Sequence, residues 1–151
     1  MADLFNIFSK KEQLKEQENQ NLKENVKEDV KCKLYKIIIN RYRDKIEEYE
    51  TKSITELKGL VKPKDPTILE IKEAITNSFK PYVYAQHFYE ASKMAFAKLK
   101  TFQTVSVPVP FWLTFAEMQE IMAGDEIDKS IFLCSLLRSL GSESAKVFIT
   151  E

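Results

Sequence analysis

Glycine and proline are scarce in this chain of 151 residues, three and five respectively, and that scarcity excludes a turn-rich β-sandwich or barrel. Two cysteines, Cys32 and Cys134, are too few and too far apart for a disulfide scaffold or a paired zinc-binding spacing. The expected compartment is therefore a reducing cytoplasm. One histidine, His87, leaves little material for imidazole chemistry. Neither sign of charge is in excess, with 23 Lys and Arg against 23 Asp and Glu, so no net field draws the chain to nucleic acid. No apolar run approaches the ~20 residues that span a bilayer, and MADLFNIFSKKE lacks the features of a secretory signal. Its Leu4, Phe5, Ile7 and Phe8 before Lys10 and Lys11 would suit at most a short peripheral membrane contact, against the plainer reading of a docked or frayed end.

What the chain does have is helical periodicity. From Ser9 to about Glu50 it is rich in Lys, Glu, Gln and Asn, with Val26, Val30, Leu34, Ile38, Tyr42, Ile46 and Tyr49 recurring every three to four residues. That pattern predicts a long charged amphipathic helix, solvated in its first half and packing from Leu34 to Tyr49. Residues 1–56 are read as this helical extension and 57–151 as the domain proper. A protein partner or a second copy would meet the chain through the extension.

Local signals divide the rest. Ser53 and Glu56 form a capping box, opening a short helix to Gly59 or Leu60. In PKDP, Asp65 caps a helix whose first position is Pro66, expected to reach Phe79 with Ile68, Leu69, Ile71 and Ile75 inward. The aromatic-rich span from Tyr82 to Leu99 predicts the core helix. TVSVPVPFW, with Pro108 and Pro110, reads as an extended loop or edge strand. Thr114 and Glu117 form a second capping box, for a helix ending by Gly124; Asp125 caps an apolar helix from Ile127 to Leu140, stopped at Gly141. AKVFIT, 145–150, is a short strand candidate that needs a partner, either the 105–110 segment or chain from elsewhere. The expected class is mainly α, a multi-helix domain with one or two short strands.

The segment PFWLTFAEMQEIMAGDEIDKSIFLCSLLRSLGSESAKVFIT resembles the nucleophile-bearing region of transglutaminase-like, papain-related proteins. LVKPKDPTILEIKEAI is similar to that family's entry helix, so the likeness covers roughly 57–151. The resemblance implies the helical half of an α+β fold. It places Gly124 and Asp125 on the family's Gly-Asp, Asp128 on its last acid, and Arg138 and Gly141 on the helix end. The nucleophilic cysteine's position holds Glu126. A thiolate there gains from the positive end of the helix dipole and attacks an acyl group; a carboxylate gains from the same field without replacing that nucleophile. The family's His and Asp partners fall beyond Glu151.

The resemblance therefore implies a catalytically inactive scaffold acting in binding or assembly. Two alternatives stand beside it: a fragment of a cysteine enzyme that continues past Glu151, and an unrelated helical oligomerisation module. No cofactor and no metal site is expected, because Asp125, Glu126 and Asp128 match no metal loop and are explained by capping. Cys134, deep in a Leu-rich helix, reads as a core thiol, and Cys32 as an inert residue of the long helix. Trp112, Phe111 and Phe115 would line any groove, or else pack the loop onto that helix.

Overall fold

A computed structural model describes residues 32–106 and 108–148, and among these the chain is mainly helical. The chain divides into compact units Met1–Lys45 and Ile46–Glu151. The helix at 54 thus belongs with the second unit, where sequence alone put the boundary after 56. The N-terminal apolar cluster at 4–8 and the first half of the expected long helix lie outside the described residues.

Helix α1 runs over 32–50 and stops where Thr51 Oγ1 donates back to the carbonyl of Glu47 at 2.6 Å. The expectation that its stripe packs is corrected: Leu34, Tyr35, Ile37, Ile38, Tyr42 and Tyr49 are all exposed. Periodicity reports that a helix has an apolar face, and says nothing about whether the rest of the chain covers it.

Helix α2 (Ile54–Gly59) begins at the Ser53 capping box, with Ser53 N–H donating to Glu56 Oε2 at 2.8 Å. Helix α3 (Pro66–Thr76) begins at Asp65, whose carboxylate accepts the Thr67 amide at 2.9 Å. Ile68 and Ile75 of α3 are buried, whereas Leu69 is exposed and turns away from the core. Helix α4 (Tyr84–Lys100) follows a cis Lys80–Pro81 peptide. The expectation that α4 is the core helix by virtue of its aromatics is corrected: it buries Ala91, Ala95 and Leu99, and leaves Tyr84, Tyr89 and Phe96 exposed. Its small residues let the backbone come close to its neighbour, and of its Phe and Tyr rings Phe88 packs against the core while the others stay exposed.

That neighbour is α6 (Glu126–Ser139), the centre of the molecule, against which α3 and α4 pack. Phe132 and Leu136 are fully buried, and Phe132 meets Phe102 and Phe115 edge-on at 5.1 and 5.6 Å. Long-range hydrogen bonds fasten the segments before α3 and α4 to α6 and its C-cap. Ser135 Oγ accepts the Lys62 amide at 3.1 Å while donating to Ile131, and Tyr82 donates its hydroxyl proton to the Leu140 carbonyl at 2.9 Å.

Helix α5 (Phe115–Ile121) opens at the Thr114 capping box. It ends before Gly124, as expected, where Met122 turns the chain with φ 50 and ψ 41 in the left-handed region. The chain then pairs as strand β2 (Ala123–Gly124), parallel to β1 (Gln103–Thr104). The strand expected at 145–150 is corrected over its described part, 145–148. Residues 145–148 are not a strand, because the Ala145 carbonyl is taken by Arg138 Nε at 2.9 Å and by the Cys134 thiol at 3.4 Å. Side chains of α6 satisfy a backbone group that a sheet would otherwise need.

Gly141 ends α6 with φ 108, and a Cβ there would lie 2.8 Å from the Tyr84 ring. Gly141→Ala should therefore destabilise the fold by about 1 kcal/mol or more, since both backbone and space oppose it. Urea unfolding of the two proteins measures the difference.

Candidate functional site

The mouth of α6 is where chemistry-bearing residues gather, and its geometry follows from capping. Asp125 is the N-cap, and its Oδ1 accepts the Asp128 amide at 2.7 Å. Asp128 reciprocates, its carboxyl accepting the backbone amides of Asp125 and of Leu113. The loop that carries Trp112, Leu113 and Thr114 closes over this end of the helix.

The seal leaves Asp128 only 4% exposed. Its pKa is raised to about 6, first because burial removes water from the carboxylate and then because Asp125 carries like charge; the two amide hydrogen bonds oppose the rise. Asp128 borders a cleft of about 230 Å³ whose walls include Trp112, Phe115, Ile131, Leu60, Asp65, Lys52 and Lys62. Trp112 is held there by its indole N–H, which donates to the Glu50 carbonyl at 2.9 Å, so its ring rather than its polar edge faces a ligand.

The residues singled out from sequence do not share one site. Trp112, Phe115 and Asp128 meet in the cleft, and Phe111, exposed, is not among its walls. Glu126, the first residue of α6, is exposed and borders a different hollow, of about 490 Å³, with Thr104, Val105, Ser106, Asp125 and Ile127. Lys129 closes the helix end against β1, donating from Nζ to the Phe102 carbonyl at 3.0 Å and to Thr104 Oγ1 at 2.9 Å.

Within the second unit, Cys134 and His87 line neither hollow. Cys134 is buried, and desolvation raises its pKa, leaving a thiol that is poorly nucleophilic. His87 stacks on Phe79 with ring centroids 5.2 Å apart, and its Nδ1 accepts the Val83 amide at 2.9 Å, serving the start of α4. Cys32 is exposed on α1. Among the described residues no three His, Cys, Asp or Glu side chains converge as a metal would require. No described helix is long and apolar enough to cross a membrane.

Sequence reasoning missed the leading part of Asp128 and the contributions of Lys52, Lys62 and Asp65. The signal for Asp128 was present in its spacing from Asp125, three residues on, which turns the side chain back over the helix end. Comparison of the chain with protein-family models, with curated proteins and with solved structures found no match.

Proposed function

We propose that the chain is a catalytically silent, transglutaminase-like scaffold that acts by binding, with the Trp112–Asp128 cleft as its ligand site and the N-terminal helix as a separate contact surface. The observation that carries this reading is the way the α6 mouth is occupied. The cleft holds a buried carboxyl already engaged by two backbone amides, and Glu126, at the position the family gives to sulfur, is exposed in another hollow. Neither acid shares its hollow with an imidazole, because His87, the one histidine of the sequence, lines neither of them. Thr114, the hydroxyl bordering the cleft, donates to Glu117 Oε2 at 2.7 Å and holds its capping box together.

The lining suits a peptide-like ligand. Trp112, Phe115 and Ile131 offer an apolar wall, while Lys62 and Asp65 offer opposite charges within the same cleft. The chain has one tryptophan, so fluorescence excited at the red edge, where its tyrosines do not absorb, reports on this cleft.

Turnover assays test the proposal. The purified chain should neither hydrolyse peptide-bound glutamine amides nor incorporate a primary amine into them, and Glu126→Ala should leave that null result unchanged. Activity above the uncatalysed rate that is lost in Glu126→Ala would overturn it.

A further inference from the structure

A third hollow, of about 440 Å³, is bordered by α3, α4 and α5, and its volume falls within the ~300 to 1,000 Å³ usual for small-molecule sites. Its wall is apolar, supplied by Ile71 and Ile75 of α3 and Met94 of α4. The two charged members, Glu70 and Lys98, have opposite sign, so no net charge selects an ionic ligand. One polar group is left over. Gln119 of α5 borders the hollow, and its Oε1 is buried with no hydrogen-bond donor among the described residues. An amide oxygen hidden from water without a donor is costly, and native folds seldom keep one unless something else supplies the donor.

We infer that this hollow is a binding site for a small neutral aromatic molecule carrying an N–H or O–H, which donates to Gln119 Oε1 while the ring lies against Met94. The thioether of methionine is flexible, adapts to the shape beside it and favours contact with an aromatic ring. The terminal torsion of glutamine is soft, so the amide can turn its oxygen to meet the donor as the ligand enters. An apolar molecule without a donor would fill the space and leave the oxygen unserved, and an ionic one would meet a like charge at Glu70 or Lys98. The site is separate from the Trp112–Asp128 cleft and independent of what that cleft binds.

The test compares indole with N-methylindole, which keeps the ring and removes the donor, by nuclear magnetic resonance titration of the full chain isotope-labelled at its methionine methyls and backbone amides. Indole should shift the Met94 methyl and bind about tenfold or more tightly than N-methylindole, as expected when a buried acceptor is otherwise left unpaired. Gln119→Leu, which removes the acceptor at similar volume, should abolish that preference, and circular dichroism should show the variant folded as the parent is. Equal affinity for the two molecules, a preference that survives Gln119→Leu, or binding of neither overturns the inference. Shifts centred on Trp112 and Leu113 instead would move indole to the cleft and overturn it as well.

Discussion

Asp128→Asn should stabilise the protein at pH 7.5 by about 3 kcal/mol, the equivalent of a shift of roughly two pKa units. The folded value, about 6, lies above the ordinary 3.8. Between those values the folded chain holds a proton that the unfolded chain has released, so stability falls as pH rises. The contribution of this group is complete below about pH 4 and is lost as pH passes through about 6. Asparagine keeps an oxygen for the Asp125 and Leu113 amides and has no charge to desolvate, so the variant should lose this slope. Urea unfolding of both proteins from pH 4 to 8 reads the effect, and a parent whose stability is flat across that range would refute it. The same carboxyl explains why a binding cleft would retain a costly residue: a cationic group of a ligand placed beside Asp128 would favour its ionised form, and ligand affinity would then rise with pH through about 6.

Phe132→Ala should cost about 3 to 5 kcal/mol, a large share of the ~5 to 15 kcal/mol that holds a domain of this size together. Phe132 has no exposed surface and is the ring on which Phe102, from the segment leading into β1, and Phe115, from the start of α5, both abut. Removing it opens a cavity at the junction that positions the 111–114 loop and, through Leu113, the seal over Asp128. The thermal midpoint should drop steeply. Phe148→Ala, which truncates an exposed ring, should leave it within the error of measurement and serves as the control.

Local chemistry was the legible part of this fold. Ser53 with Glu56, Asp65 before Pro66, Thr114 with Glu117, and Asp125 each announce a helix start through a side chain that serves an amide two or three residues away, and each start stands where expected. Gly141 announced a stop for a different reason, the positive φ of 108 that a glycine adopts without a Cβ to oppose it. What escaped depends on contacts distant in sequence. Met122 takes the left-handed turn that a glycine usually takes because the following Ala123–Gly124 pairs with Gln103–Thr104, some twenty residues upstream. Tyr84, Tyr89 and Phe96 of α4 are exposed while Ala91, Ala95 and Leu99 are buried, a division set by the elements packed against the helix.

The candidate site divides along the same line. That the α6 mouth carries acids was visible, together with the aromatic lead-in of Trp112 and Phe115. Which acid is buried was not, since the burial of Asp128 is imposed by Leu113 and the walls supplied by Leu60, Lys62 and Asp65. Residues on consecutive positions of a helix start diverge by about 100° each, so Glu126 and Asp128 look into different hollows although only one residue separates them.

We propose that the mouth of α6 holds acids where the resembled family places a reactive sulfur, and that it performs no covalent chemistry. Intact-mass spectrometry after mixing the chain with excess glutamine-containing peptide and quenching in acid tests it most directly. The account predicts one species at the mass of the free chain at every time point; a species heavier by the peptide less ammonia, on any side chain, would contradict it.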